Sequence, residues 1–161
     1  MDFQIGDKVI HGTYGLGEIT AIEEQNVHEQ TLSCYVVKFA ANLTLWVPVD
    51  QVERHSLRKP ASRAEVEQVL QVITASPDAL PTDRMLRRTQ LSEQMKSGRL
   101  EDVGRLLRDL LNLQRVSKWN EHDRAIFERA SLALATEWSH AFDITLPQAQ
   151  QALHQLMEKK E

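Results

Sequence analysis

The first third of the chain has a different pattern of apolar residues from the rest. In it, apolar side chains alternate with polar ones or cluster in short runs bounded by turn residues, which is typical of β-strands. Four runs show this pattern: residues 8–11, 18–24, 32–40 and 43–52. Gly12, Gly15 and Gly17 follow the first run. Because glycine accepts positive φ and close backbone approach, they predict a turn leading into a bent strand. Several short strands within so few residues predict a small barrel or a strongly curved sheet.

Beyond residue 60 the apolar residues recur at intervals of three and four, as they do on one face of an α-helix. Ser62 and Glu65 have the spacing of a capping box and predict where the first helix begins. Further helices are expected to start after Thr82 or Asp83, near residue 100, after Ser117 or Asn120, and after Thr145. The predicted fold class is α+β: a small Tudor- or SH3-like barrel in residues 1–58, followed by an all-α bundle of about five helices in residues 59–161.

The same periodicity predicts which side chains the helices bury. In the second helix the expected apolar positions are Met85, Leu86, Leu91 and Met95. In the third helix, leucines and valines between residues 103 and 113 are expected to face inward, and Arg105, Arg108 and Arg115 outward.

Charge is distributed unevenly between these two parts. The chain has 161 residues, 42% of them hydrophobic, and a net charge of −4, which is not typical of a protein that binds DNA through overall charge. Residues 1–58 carry four basic and eight acidic residues, whereas residues 84–130 carry eleven basic and seven acidic ones. We therefore expect any nucleic-acid contact to be local and to lie in the helical part, and the acidic N-terminal part to bind protein.

Evidence for catalysis is weak. The motif Gly12-x-x-Gly15-x-Gly17 superficially resembles a phosphate-binding loop, but it is followed by a predicted strand, so no helix N-terminus is available to hold an anion. The six histidines form no i, i+4 pair, and the one cysteine, Cys34, is expected to be a packed strand residue. The sequence favours a non-enzyme without cofactor or metal.

The expected location is the cytoplasm. A single cysteine suits a reducing compartment, and no leader or membrane-spanning run is recognisable. We expect a monomer that makes no contact with a membrane.

Three motifs resemble those of the CarD-like bacterial transcription regulators: GDKVI at residues 6–10, YGLG at residues 14–17 and LWVPV at residues 45–49. They resemble the RNA-polymerase-interacting domain of that family, which is similar in the transcription-repair coupling factor. The later helices resemble the CarD-like C-terminal domain. The resemblance implies a Tudor-like barrel that binds the polymerase β subunit and a helical domain that contacts promoter DNA.

Trp46 is the main candidate for protein contact. Strand alternation turns it away from Leu45 and Val47, so it either anchors an interface or packs beneath the helices, and the pattern alone leaves both open. The resemblance favours the interface, although relatives usually have an arginine at this position and commonly one at the position of Gln25. The residues expected to contact the polymerase β subunit are Gln25, Val36, Trp46 and Pro48.

Arginines at the start of the second helix are the candidates for DNA contact. Guanidinium groups bind phosphate bidentately, and a helix N-terminus favours anions, although an ordinary solvated helix face has the same pattern. The expected residues are Arg84, Arg87, Arg88, Lys96 and Arg99. In CarD-like regulators a tryptophan at the position of Arg84 wedges into the minor groove, so its absence here implies weaker stabilisation of the melted promoter.

The leading hypothesis is a non-catalytic transcription regulator that binds the polymerase β subunit and contacts promoter phosphates without much sequence specificity. The alternative is a polymerase-bound adaptor whose helices bind another protein. An enzyme or small-molecule sensor would need a polar pocket that the sequence does not indicate.

Overall fold

The structure, a computed structural model, describes residues 2–159. Within them it forms two compact units, one extending to Pro60 and the other starting at Ala61. An antiparallel sheet is followed by helices, so the predicted α+β class is confirmed. The strands are β1 (Lys8–His11), β2 (Gly15–Val27), β3 (Gln30–Phe39) and β4 (Thr44–Pro48), followed by a short 3₁₀ helix (Val49–Gln51). The helices are α1 (Arg63–Thr74), α2 (Arg84–Lys96), α3 (Leu100–Val116), α4 (Glu121–Phe142) and α5 (Leu146–Glu158).

Strands that are neighbours in sequence are also neighbours in the sheet. The described strands lie in the order β1-β2-β3-β4, and every pair is antiparallel. The register of β2 against β3 shifts between Ile19 and Ala21, which marks a bulge. One face of the sheet covers a small apolar core that includes Phe3, Val9, Ile19, Tyr35, Val37 and Val47.

Gly17 shows why a glycine is required in β2 opposite Phe39. A Cβ built on Gly17 would lie 2.8 Å from two ring carbons of Phe39 and 2.9 Å from Cγ1 of Val37. The glycine motif thus continues into a strand, as predicted, and it lets the Phe39 ring pack directly on the backbone of β2.

The two outer edges of the sheet, formed by β1 and β4, differ in their backbone pairing. The edge of β1 is covered at one point, because Ile10 exchanges backbone hydrogen bonds of 2.7 and 3.0 Å with Arg58. Among residues 2–159, no strand pairs with the outer edge of β4. The amide of Phe39 donates to the carbonyl of Leu43, and bonded and non-bonded pairs alternate along an antiparallel ladder. Thr44 and Trp46 therefore direct their backbone N–H and C=O groups away from β3.

Helix ends follow the predicted capping residues. Ser62 with Glu65 and Thr145 with Gln148 form complete capping boxes, and Asp83 accepts from two amides of the first turn of α2. Asn120, rather than Ser117, caps α4 and forms a capping box with Asp123. These side chains satisfy backbone donors that have no partner within the helix.

The helical core contains the leucines and valines that the periodicity predicts, but three other residues of α2 and α3 differ from the prediction. Met85 and Leu86 are 70% and 63% exposed, so the apolar stripe predicted for the start of α2 is wrong there. Arg108, predicted to point outward, is buried because it is bonded to Asp109 and Asp78. In the sheet unit, Val47 belongs to the apolar core and Leu45 packs against it, whereas Leu43 precedes β4 and is 38% exposed. No helix within residues 2–159 is both long and apolar enough to span a bilayer.

His11 organises the glycine turn. Its side chain is buried, and Nδ1 accepts hydrogen bonds from the amides of Thr13 at 3.0 Å and Tyr14 at 3.3 Å. Nδ1 can accept these bonds only when it carries no proton. Burial lowers the pKa of His11, and the neighbouring His55 lowers it further. The turn is therefore built on a neutral imidazole.

We predict that this turn makes the N-terminal unit sensitive to acid. Since the folded-state pKa lies below the ordinary value of 6.5, the unfolded chain binds a proton more readily than the folded one. The stabilising contribution is complete above the unfolded pKa and is lost as the pH falls through the folded pKa. The asparagine of the His11→Asn variant keeps an acceptor near the two amides, but its side chain does not take up a proton as the pH falls. Urea unfolding is measured above pH 6.5 and again at lower pH. The variant is expected to lose less stability than the native chain as the pH falls. Equal losses in both proteins would contradict this role for His11.

Candidate functional site

Three strands place the residues predicted for protein contact on one side of the sheet. Val36 pairs with Ala21 on β2 and with Trp46 on β4. Paired residues on adjacent strands face the same side, as do residues two apart on one strand. The Trp46 face, as we call it, consists of Glu23, Gln25, Val36, Trp46 and Pro48.

Glu23 links the polar groups of the Trp46 face. The indole Nε1 of Trp46 donates to Oε2 of Glu23 at 3.2 Å, and Nε2 of Gln25 donates to the same oxygen at 3.4 Å. Trp46 nevertheless remains 45% exposed. The carboxylate therefore orients the indole without enclosing it, and it adds a negative charge beside an exposed aromatic ring.

The predicted residues of this face do not all reach its surface. Val36 is only 5% exposed and lies opposite Trp46 in the ladder, so it supports the indole and offers little contact area. Pro48 is partly buried at the end of β4, where it ends the run of backbone donors. Cys34, between Glu23 and Pro48, is buried, and burial and Asp50 raise the pKa of its thiol. It is the packed side chain that the sequence predicts.

The arginines at the start of α2 have different environments. Arg84 and Arg88, one turn apart, are exposed and form no ion pair with any described residue. We call these two residues the α2 basic turn. Between them, Met85 and Leu86 expose apolar side chains.

Arg87 does not form part of this exposed face, contrary to the expectation from sequence. It is 7% exposed, and its Nε and NH2 donate to the two carboxylate oxygens of Asp123 at 3.1 and 3.0 Å. NH1 donates to the carbonyl of Pro81 at 3.1 Å. Because these donors are used within the protein, Arg87 fixes α2 and the segment before it to α4.

Lys96 and Arg99 lie apart from the α2 basic turn. Lys96 is twelve residues after Arg84, which corresponds to about 18 Å along the helix axis. Arg99 bonds to Asp102 at 3.1 Å while most of its side chain is exposed. The predicted set of five residues therefore does not form one contiguous site.

Sequence reasoning missed residues of α4 that accompany the α2 basic turn. Asp123 was not identified as the partner of Arg87, nor was His122 identified as a side chain whose pKa is lowered by burial and by Arg88. No motif connects these positions, which are more than thirty residues apart, so only the packing of α2 on α4 reveals them. Among residues 2–159, no three His, Cys, Asp or Glu side chains are grouped so that they could hold a metal ion.

The chain thus combines a small sheet unit, which has an exposed aromatic face, with a helical unit. Residues 3–61 match the family model of the CarD-like/TRCF RID domain, and residues 68–154 match that of the CarD C-terminal domain. The chain therefore belongs to the CarD family, a family of transcription regulators. It is also similar to YdeB, a candidate transcription factor of Bacillus subtilis (strain 168), with 23% identity over 140 residues that cover 84% of this chain and 89% of YdeB.

The two neighbouring arginines of α2 provide a direct test of their separate roles. Arg87→Met leaves the charge of Asp123 buried without its partner, which is expected to cost about 3–5 kcal/mol of unfolding free energy. Arg88→Met removes an exposed, unpaired charge and is expected to change stability by less than about 0.5 kcal/mol. Urea unfolding of both variants measures the difference. Similar midpoints for the two variants would contradict a structural role that is specific to Arg87.

Proposed function

We propose that this protein is a non-catalytic regulator of transcription that binds the β subunit of RNA polymerase through the Trp46 face and the edge of β4, and promoter DNA through the start of α2. The observation that carries the proposal is an exposed tryptophan next to a strand edge that no described strand covers, in a unit that matches the CarD-like/TRCF RID domain.

The edge of β4 suits the addition of a strand from a partner. Thr44 and Trp46 each offer an outward N–H and C=O, and Pro48 limits the pairing to a short segment. A partner strand that pairs here gains main-chain hydrogen bonds, while neighbouring side chains provide specificity. A short edge that ends in proline also discourages pairing between copies of the chain.

Trp46 provides the side-chain anchor of this interface. Burial of a half-exposed indole yields large contact area while few rotatable bonds are immobilised. Glu23 already holds the ring through the 3.2 Å hydrogen bond, so less side-chain freedom is lost on binding. Because Glu23 is acidic, the complementary surface on the β subunit is expected to supply a basic residue or a hydrogen-bond donor.

The α2 basic turn supplies the proposed DNA contact. Arg84 and Arg88 have no competing ion pair among the described residues, so their guanidinium groups are available to backbone phosphates. Such contacts position a protein on DNA without specifying sequence. Arg84 can also enter a narrowed minor groove, and the exposed Met85 and Leu86 are apolar side chains of the kind that wedge between base steps.

Met85 and Leu86 also favour a second function, that of a polymerase-bound protein adaptor. Met85 and Leu86 are 70% and 63% exposed, and exposed apolar side chains next to arginine are also typical of protein interfaces. The two functions differ in their dependence on salt, because only DNA binding releases condensed counterions.

For the polymerase contact, we predict that Trp46→Ala weakens binding to the purified β subunit by about 30-fold, which corresponds to about 2 kcal/mol for a buried aromatic anchor. Ile5→Ala is the matched control, since Ile5 is a 64% exposed apolar residue that precedes β1, the strand at the opposite edge of the sheet from β4. It is expected to bind as the native chain does. Calorimetric titration measures both. Equal affinities of the Trp46 variant and the native chain would remove the proposed interface.

For the DNA contact, we predict a linear fall of log affinity with log salt concentration, with a slope of about −0.9 for each phosphate neutralised. Replacement of both Arg84 and Arg88 by alanine is expected to reduce this slope by about two. Arg105→Ala is the control, because Arg105 already pairs with Glu101 and Asp102. Fluorescence anisotropy with labelled duplex DNA gives the slopes. A flat salt response of the native chain would contradict DNA binding and favour the adaptor.

A further inference from the structure

The segment between α1 and α2 is attached to the helical unit at several points. We call residues 75–83, which form neither helix nor strand, the strap. Near α2, the side chain of Leu80 belongs to the helical core, and the carbonyl of Pro81 accepts from NH1 of Arg87 at 3.1 Å. The strap ends at Asp83, whose side chain caps α2.

Asp78 attaches the strap to α3 through both its backbone and its side chain. Its amide donates to Oδ1 of Asp109 at 2.9 Å, and its Oδ2 accepts from NH2 of Arg108 at 3.0 Å. The arginine is itself held, because its Nε donates to Oδ1 of Asp109 at 2.9 Å. The side chain of Arg108 is 10% exposed, whereas that of Asp78 is 83% exposed. Since the buried arginine is already fixed, formation of the ion pair immobilises only the side chain of Asp78.

Two prolines make the strap stiff. Pro77 and Pro81 fix their own φ, and each restricts the residue before it to extended conformations. Asp78 lies between them, and Asp83 follows it by five residues. A stiff segment moves as a unit, so a shift at Asp78 is passed on to the N-cap of α2.

The first turn of α2 depends on this attachment because it has little packing of its own. Met85 and Leu86 are 70% and 63% exposed, and Arg84 and Arg88 lie in solvent. Within residues 84–88, Arg87 is the buried side chain, and it holds the turn to α4. The turn is therefore positioned from two sides, by Arg87 from α4 and by the strap from α3.

We propose that Asp78 positions the first turn of α2 through the strap, so that loss of its bond to Arg108 loosens this turn. For the proposed DNA contact Asp78 is thus a positioning residue, although it carries the same sign of charge as DNA. This second part rests on the proposed function, whereas the positioning of α2 does not. A turn that is ordered before binding loses less conformational freedom in the complex, so release of the strap lowers the affinity.

Electrostatics alone predicts the opposite effect on DNA binding. Removal of an acidic side chain makes the net charge of the chain less negative, which strengthens binding to a polyanion. A weaker complex of the Asp78→Ala variant is therefore expected only if Asp78 acts through position. Glu101→Ala is the matched control, because it changes the charge equally and breaks an exposed ion pair, that with Arg105, within α3.

The test uses the full chain and two measurements. Hydrogen–deuterium exchange of the Met85 and Leu86 amides, which donate to the side chain of Asp83, reports on local opening of the first turn of α2. Exchange of the Leu106 amide, in the buried part of α3, reports on global unfolding, which any loss of stability accelerates. Fluorescence anisotropy with labelled duplex DNA at several salt concentrations gives the affinity and the salt slope.

The Met85 and Leu86 amides are expected to exchange about fivefold faster in Asp78→Ala, because the opening that exposes them also breaks the bond to Arg108. Asp78→Asn keeps an oxygen that can accept this bond and is expected to restore most of the protection. In Glu101→Ala the two amides are expected to exchange as in the native chain.

For DNA, we expect Asp78→Ala to bind about threefold more weakly than the native chain, with the same salt slope because the same phosphates are contacted. Glu101→Ala is expected to bind at least as tightly as the native chain.

The outcomes separate the inference from the proposed function. If only Leu106 exchanges faster in Asp78→Ala, or if no amide does, Asp78 does not position α2 and the inference is refuted. If the α2 amides exchange faster but DNA affinity is unchanged or higher, the positioning of α2 stands and its role in DNA binding is refuted. If the native chain binds no DNA, the DNA part of the proposed function fails, and the exchange result still decides whether Asp78 positions α2.

Discussion

The proposed function follows from one constraint: within residues 2–159, no strand pairs with the backbone groups along the outer edge of β4. A strand edge exposes hydrogen-bond donors and acceptors that bind either water or another chain. In this protein β3 occupies one side of β4, while Thr44 and Trp46 present their backbone groups on the other. Trp46 also places an exposed indole beside that edge, and Glu23 holds the ring in position. Main-chain pairing and a side-chain anchor are thus available on one strand.

The helical unit likewise contains two kinds of arginine: some stabilise the fold, and others expose a charge that a ligand can reach. Arg87 and Arg108 are buried and bonded to carboxylates, so they hold helices and connecting segments together. Arg84 and Arg88 stay in solvent without ion pairs among the described residues. Since the buried pair also fixes α2 on α4, the stability of that contact and the position of the α2 basic turn depend on the same side chains.

Local signals in the sequence were enough to predict most of the fold. Capping interactions act within a few residues, and for that reason Ser62 and Asp83 correctly indicated where helices begin. The burial of Arg87 could not be predicted in this way, because it depends on Asp123, which is far away in sequence. Met85 and Leu86 were misassigned since periodicity marks one face of a helix but not whether a neighbouring helix covers it. For the Trp46 face, strand alternation predicted the side of the sheet, whereas the low exposure of Val36 depends on neighbouring side chains.

Hydrogen–deuterium exchange of the β4 amides, with and without the polymerase β subunit, is the most direct test of the central claim that this edge binds a partner strand. In the free protein the amides of Thr44 and Trp46 point away from β3 and are expected to exchange rapidly. We expect strong protection of these two amides in the complex. Little change is expected at Leu45 and Val47, because their amides point towards β3. A stable complex in which Thr44 and Trp46 exchange as fast as in the free protein would contradict the account.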